Sequence, residues 1–378
     1  MSAGRSAGGM VAGGRSAGGP LATDVDRRPS QAAATAHGSG LRIAVLGATG
    51  AVGTVMLQCL RERGLDQGNE IVAFATERSA GRVIGGHTVV TLNDDADLSG
   101  IDIALFSAGG ATARAWAPRF VAAGATVIDN SSAFRRDPGV PLVVAEVNPD
   151  ALRVHRGLIA NPNCSTMQLM VALAPIHRAV GIQRLVVATY QSVSGTGRRA
   201  IDALDAEARA LLAGSQPPAP EVYPETIAFN VIGAAGNFAD GDDHTDEERK
   251  MMFETRKILE DQEIGIAVTC VRVPVRVSHS EAVNIQTREP LSVDRALELL
   301  AAAPGIVLED VPSPLRATGR DEVFVGRVRA DDSHPRAFSM FVVADNLRKG
   351  AATNAVQIAE LLIAQGIVSA RSVAAAVP

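Results

Sequence analysis

The sequence predicts a two-domain α/β protein: a doubly wound, mostly parallel domain first, then an α+β domain on a mostly antiparallel sheet, and a C-terminal helix returning to the first domain. Three observations predict it. From Leu41 to Asn163 short apolar runs alternate with helix-like stretches, which is the texture of βαβ units. Beyond Cys164 the apolar runs lengthen and fewer helical stretches divide them, as in a hairpin-built sheet. The 378-residue length also exceeds what one compact core usually holds.

Residues 1–40 hold mainly Gly, Ala, Ser and Arg and repeat the stretch GRSAGG at Gly4 and Gly14. Such a composition buries too little surface to offset ordering entropy, so a disordered tail is expected. It has no apolar core of a signal peptide, and its glycine content fits a transit peptide poorly. The first domain, 41–163, takes the strands LRIAVL, EIVAFA, IDIALFS and TVIDN, with helices from the glycine turn through Arg63 and over Ala111 to Ala123. The second, 164–345, opens on the long helix CSTMQLMVALAPIHRAVG and continues with RLVVATYQSV, GIAVTCVRVPV, SEAVNIQTRE and AFSMFVVAD. Its SQPPAP segment, 215–220, is a loop, and the returning helix lies within 346–370, where Lys349 to Ile363 is apolar at helical spacing.

Composition excludes several roles. Hydrophobic residues at 47% and charged residues at 20% fit a chain that folds into a globule. A net charge of -5 gives no basic field for nucleic acid or an anionic membrane, and no apolar run is long enough to span a bilayer. The three cysteines, Cys59, Cys164 and Cys270, are scattered without CxxC spacing. That argues against a disulfide framework and a zinc site, and for a reducing cytoplasm.

The first strand ends in Gly47-Ala48-Thr49-Gly50-Ala51-Val52-Gly53, with spacing GxxGxxG rather than GxGxxG. Glycines there let the backbone approach a pyrophosphate at a helix N-terminus, so Gly47, Thr49, Gly50, Ala51, Val52 and Gly53 are cofactor candidates. A bare glycine turn can also serve packing alone. After the second strand, Thr76-Glu77-Arg78-Ser79 offers Arg78 and Ser79 to a 2'-phosphate, favouring NADP, while Glu77 would suit a ribose hydroxyl of NAD.

Asn161-Pro162-Asn163-Cys164-Ser165-Thr166 precedes the long helix, so Cys164 stands at a helix N-terminus, where the dipole favours a thiolate. A cysteine is more often a small buried apolar residue, the reading given to Cys59 in an amphipathic helix and Cys270 in an apolar strand. Cys164 differs in its polar loop. A thiolate needs a proton carrier, and His279 sits at a turn between two strands, although a lone turn histidine is usually just solvated. Glu247 and Lys250, three apart in a helix opened by Thr245, share one face; an ordinary surface ion pair is the commoner meaning of that pattern.

The stretches Asn161 to Cys164, Tyr190-Gln191-Ser192-Val193-Ser194-Gly195 and Arg272 to His279 resemble the aspartate-semialdehyde dehydrogenase family. So do GATGAVG, Ser131-Ser132-Ala133-Phe134-Arg135, Thr245 to Lys250 and Asp345 to Ala352, and the resemblance runs from Leu41 to about Gly366. It implies that Cys164 attacks an aspartyl phosphate, phosphate leaves, NADPH delivers hydride to the thioester, and His279 assists collapse of the thiohemiacetal. By the same resemblance Gln191, Arg272 and Glu247 bind substrate, Arg135 and Lys250 bind phosphate, and Ser194, Gly195 and Asn346 contact NADP. The family works as a homodimer or larger oligomer, with homotetramer as the alternative, and its product feeds lysine, methionine, threonine and diaminopimelate synthesis. One departure stands out: Ser278 occupies a position where the family commonly has Gly. The rival readings are an N-acetyl-gamma-glutamyl-phosphate reductase, which shares fold and thiol chemistry, and a non-catalytic NADP-binding regulator.

Overall fold

The computed structural model describes residues 40–370, so the reading of 1–40 as a disordered tail falls, apart from Gly40, outside the described residues. A seven-stranded sheet comprises β1 (Arg42–Leu46), β2 (Glu70–Ala75), β3 (Val83–Ile84), β4 (His87–Thr91), β5 (Ile103–Phe106), β6 (Thr126–Asp129) and β7 (Leu158–Ala160). Their spatial order is β3-β4-β2-β1-β5-β6-β7, and every pair is parallel except β3 with β4. The chain therefore runs outward from β1 in one direction and then, from β5, in the other. That reversal opens a crevice at the strands' carboxyl ends, the place where such sheets bind ligands.

Strand periodicity sorts the side chains onto two faces. Ile43, Val45, Ile103 and Leu105 pack with Met56, Leu57 and Leu60 of α1 (Ala51–Glu62). Ala44, Leu46, Ala104 and Phe106 pack with Ala113, Ala117 and Phe120 of α2 (Gly110–Ala122). Helices on both faces make the sheet doubly wound, as the sequence predicts.

The second sheet has six strands, β8 (Ile182–Gln191), β9 (Gly265–Arg272), β10 (His279–Thr287), β11 (Ile306–Leu308), β12 (Val323–Ala330) and β13 (Ala337–Ala344), in the order β11-β12-β13-β10-β8-β9. The three central pairings are antiparallel and the two edge pairings, β11 with β12 and β8 with β9, are parallel. One face is covered by α3 (Cys164–Val180), whose Met167, Leu169, Met170, Val171 and Leu173 are buried in the same cluster as Leu185, Val187, Val283 and Met340. Gly181, at φ 67°, ends α3 in a conformation that favours glycine. Around the sheet lie α4 (Arg198–Leu212), α5 (Asp246–Ile258), α6 (Val293–Ala302) and the single turn α7 (Pro314–Ala317).

The chain then crosses back. A π-helical turn, Arg348–Ala352, leads into α8 (Thr353–Ala364), whose Val356, Ile358 and Leu362 are fully buried against β1, β5 and α1. Burying each contributes about 1.5–3 kcal/mol, enough to hold the helix on the first sheet. Polar ties fix its register: Arg63 donates to Glu360 at 2.8 and 2.7 Å, and Arg348 to Asp321 at 2.7 Å.

Candidate active site

Cys164 is the first residue of α3, and Asn163 before it caps the helix, its Oδ1 accepting from the Ser165 N–H at 3.1 Å and the Ser165 hydroxyl at 2.6 Å. The sulfur lies 3.1 Å from His279 Nε2. His279 begins β10 and is fully buried, so it is not the solvated turn histidine its sequence context suggests. Its Nδ1 accepts the backbone N–H of Ser192 at 3.0 Å, with the Ser192 hydroxyl at 3.1 Å. A backbone N–H can only donate, so the ring proton resides on Nε2 and faces the sulfur.

The electrostatics reverse one expectation. Burial pushes the Cys164 thiol up to about 12, the charge of Glu247 adds to the rise, and Arg272 and Arg135 pull it back only partly. Desolvation thus outweighs the helix dipole that the sequence reading credits with a thiolate. Burial, together with Arg272, also holds His279 well below the usual imidazole range, so both shifts favour the neutral form of their group.

Two glycines shape the approach to this pair. A Cβ on Gly350 would lie 2.9 Å from Cys164 Cβ, so the π-helical turn packs its bare backbone directly on the cysteine. A Cβ on Gly195 would lie 3.2 Å from the His279 ring and from Arg272 Nη1. Gln191 and Arg272 close the parallel strands β8 and β9 in register with each other, both buried. Gln191 Nε2 donates to Thr189 at 3.3 Å; Arg272 Nη1 donates to the Ser192 carbonyl at 2.8 Å, while its buried Nε has no partner among the described residues.

On the other side α5 starts with a capping box between Thr245 and Glu248, which aims Glu247 and Lys250 inward together. Glu247 Oε2 accepts from Asn163 Nδ2 at 3.0 Å, and Lys250 Nζ donates to Glu247 at 2.8 Å and to Asp246 at 2.6 Å. Arg135 is buried, donating to the Asn161 and Asn130 carbonyls at 2.8 Å each and to Glu254 at 3.0 Å. Arg135 and Lys250 line one cleft of about 340 Å³ with Ser132, Arg249 and Glu254. The residues read from sequence as substrate and phosphate contacts therefore gather around the cysteine. Ser192, Glu254 and Gly350 also belong to this cluster, and no local sequence pattern singles them out.

The glycine-turn candidates follow β1 at its carboxyl end. A Cβ on Gly53 would come within 2.1 Å of the Gly47 carbonyl, and one on Gly47, at φ 76°, within 2.6 Å of the Ser107 carbonyl. Those two glycines are required for the close packing of turn and helix. Gly50 begins α1 with no side-chain cap, Thr49 precedes it, and Ala51 and Val52 form the first turn, leaving a helix N-terminus suited to a pyrophosphate. Gly47 and Ala48 donate to the Phe74 carbonyl at 2.9 and 3.1 Å, which draws the end of β2 alongside. The short 3-10 turn Glu77–Ser79 follows there, with Arg78 exposed and Ser79 buried. Ser194 and Gly195 lie in the 3-10 turn Val193–Thr196. Asn346 Oδ1 accepts from Ser192 Oγ at 3.1 Å, Ser194 Oγ at 3.0 Å and the Ser278 N–H at 2.9 Å, so its oxygen ties these turns together behind His279.

Ser278 keeps the backbone a glycine would supply: its φ is 79°, a left-handed conformation costing about 1–2 kcal/mol for a residue with a Cβ. A 2.8 Å hydrogen bond between its hydroxyl and Thr318 helps offset that cost.

Residues 42–155 match the family model of the semialdehyde dehydrogenase NAD binding domain, and residues 173–349 that of the semialdehyde dehydrogenase dimerisation domain. The aspartate-semialdehyde dehydrogenase of Aquifex aeolicus is 49% identical over 341 residues, 87% of this chain and 100% of that one. The enzyme of that name from Streptomyces akiyoshiensis is 48% identical over 339 residues, 86% and 99% of the two chains. A crystal structure of aspartate semialdehyde dehydrogenase II complexed with ASA, from Vibrio cholerae, matches with a TM-score of 0.82 at 48% identity, covering 85% of this chain and 98% of that one. Aspartate semialdehyde dehydrogenase with NADP from Candida albicans matches with a TM-score of 0.66 at 26% identity, covering 86% and 99%. On these matches, spread over both sheets and the site between them, the chain belongs to the aspartate-semialdehyde dehydrogenase family.

Proposed function

We propose that the protein converts L-aspartyl 4-phosphate to L-aspartate 4-semialdehyde and inorganic phosphate with NADPH, through a thioester on Cys164. The observation that carries this reading is the 3.1 Å contact of Cys164 Sγ with His279 Nε2, made by a ring whose proton is held on that nitrogen. A ring fixed in this way donates toward sulfur. As sulfur bonds to the acyl carbon and the bond from that carbon to the phosphate oxygen breaks, the thiol proton leaves with the phosphate and the Nε2–H steadies the charge developing on sulfur. It does so again when the thiohemiacetal collapses to the aldehyde, its hydroxyl proton passing to water or to the expelled sulfur. Arg135 and Lys250 hold the departing phosphate, and Gln191 orients the acyl carbon beside the thiol. When bound, NADPH supplies the hydride that reduces the thioester. Lysine, methionine, threonine and diaminopimelate synthesis are the routes this product feeds.

The division of labour follows the sheets: 41–163 for NADP, 164–345 for catalysis and dimerisation, and 346–370 for the returning helix. A homodimer, or a homotetramer built from it, is supported by the half-exposed face of β8, where Tyr190 is 40% exposed and its ring lies tilted against Phe341, centroids 6.1 Å apart. Three free cysteines, two of them buried, support a cytoplasmic setting.

Supplying aspartyl phosphate and N-acetyl-gamma-glutamyl phosphate side by side tests the reading. Reduction of the first, with little of the second, is expected; faster reduction of the acetylated substrate would assign the chain to the rival reaction, and no turnover of either would leave the regulator. NADPH is expected to be preferred over NADH, because Arg78 and Ser79 follow β2 at the edge that carries the glycine turn. Arg78→Ala should reduce that preference by about tenfold, the worth of one charge-assisted phosphate contact. Equal kcat/KM for the two nucleotides in the wild type would remove the assignment.

A further inference from the structure

We infer that Glu254 is a positioning residue that fixes Cys164 and Arg135 relative to one another, an inference that rests on Arg135 holding the substrate phosphate as proposed above. Glu254 lies on α5, one turn beyond Lys250 and two beyond Glu247, on the helix face that those residues present to the site. Its side chain is 1% exposed, and its two oxygens serve different parts of the chain. Oε1 accepts from Arg135 Nη1 at 3.0 Å; Oε2 accepts from the Asn163 backbone N–H at 2.7 Å.

The same ion pair grips the cysteine loop twice. Arg135 Nε donates to the carbonyl of Asn161 at 2.8 Å, and Glu254 accepts the N–H of Asn163, so the peptide run entering α3 is clamped on both sides of Pro162. Cys164 is the next residue. Asn163 in turn caps α3 through its side chain and reaches Glu247 with its Nδ2. Arg135 uses its third nitrogen on the Asn130 carbonyl at 2.8 Å. Three of the guanidinium's five N–H groups are thereby spent, and two remain among the described residues for an anion.

An attack on an acyl phosphate requires the nucleophile and the phosphate ligand to stand at a set separation, and displacements near 1 Å cost about 10²-fold in rate. The Glu254 carboxylate supplies that spacing through hydrogen bonds whose only flexible members are buried. A glutamine at this position could still accept from Asn163, but its amide NH₂ would face the Arg135 guanidinium, donor against donor. An aspartate keeps the charge and is one methylene short of spanning both partners.

The full-length Glu254→Gln and Glu254→Asp variants test this, Asp being included because removing the charge beside buried Arg135 risks the fold. Three quantities are read: KM for inorganic phosphate in the aldehyde-oxidising direction, the iodoacetamide alkylation rate of Cys164, and the melting temperature. Both variants are expected to raise phosphate KM by about tenfold or more and to change the alkylation rate several-fold. Glu254→Gln added to Arg135→Ala should change phosphate KM by less than about twofold, since the arginine through which it acts is gone. A lowered melting temperature with wild-type phosphate KM and alkylation rate would show a purely structural carboxylate and overturn the inference. So would full multiplication of the two effects on phosphate KM in the double variant. If Arg135→Ala alone leaves phosphate KM unchanged, the phosphate assignment falls by itself; Glu254 is then judged on alkylation, and an unchanged rate overturns its role as well.

Discussion

Replacing Cys164 with serine should reduce turnover by at least about 10⁴-fold and leave the melting temperature within a few degrees of wild type. The serine hydroxyl is nearly the size of the thiol, so the exchange opens almost no cavity. Its chemistry is another matter. Even the thiol is pushed up to about 12 in the resting site, and an alcohol starts several units higher still. The His279 ring donates from Nε2 and offers no lone pair toward the 164 side chain, so it cannot act there as the base that serine enzymes use. Cys59 and Cys270 are the controls. Cys59 is buried beside Thr353, 3.5 Å away, where desolvation raises its thiol to about 11; Cys270 is buried in β9 and raised further. Serine at either should keep activity and cost about 1–3 kcal/mol of stability for the buried hydroxyl. The raised thiol also sets a pH dependence. Alkylation of Cys164 in the free enzyme should keep climbing as pH rises past 9 instead of levelling near neutrality, because the folded protein retains the thiol proton above the ordinary cysteine range. Near-normal turnover by Cys164→Ser, measured against an unchanged melting curve, would refute the nucleophile.

Some of this architecture shows plainly in the amino-acid order. EIVAFA is β2 from its first residue to its last, and α3 starts at Cys164 and stops before Gly181, because polar capping and a helix-ending glycine bound a continuous apolar run. Other elements leave no clear period. β12 reads VFVGRVRA, with Gly326 under the Glu309 carbonyl and Arg327 at φ 54°, so its alternation breaks where the strand bends. β3 spans two residues and β11 three, too few to carry a pattern. The site divides in the same way. Cys164 stands out because a polar loop meets a helix there. Ser192 does not, since the group it offers His279 is a main-chain N–H that every residue but proline possesses. Gly350 is required only because a distant helix start lies against it, and Glu254 looks like any helix charge until its burial is seen. Burial likewise decides the state of the thiol, and no local sequence pattern reports it.

Arg272→Leu and Glu247→Gln are each expected to lower kcat/KM for aspartyl phosphate by about 10²-fold or more, with little change in folding. A free amino acid carries two opposite charges. Its ammonium and carboxylate both leave bulk water on entering the cleft, and each would cost several kcal/mol if left without a partner. Arg272 is buried, uses Nη1 on the Ser192 carbonyl, and keeps a buried Nε with no partner among the described residues, which suits the fork to a carboxylate. Glu247 is already oriented by Asn163 Nδ2 at 3.0 Å and by Lys250 at 2.8 Å, so an ammonium would meet a carboxylate that does not have to reorganise. Glutamine keeps an acceptor toward Asn163 but removes the charge; leucine removes the fork while preserving much of the packing. Losing one such charge-assisted contact is worth roughly 2–4 kcal/mol, which is the basis for the factor expected. An N-acetylated substrate has no ammonium, and binding it would desolvate Glu247 against a neutral amide. Glu247→Gln should therefore narrow the discrimination between the two acyl phosphates, whereas Arg272→Leu should depress both, since both carry a carboxylate. If Glu247→Gln leaves that discrimination and kcat/KM for aspartyl phosphate unchanged, the ammonium is recognised elsewhere and the substrate assignment of this residue must be given up, although the thiol chemistry at Cys164 could stand.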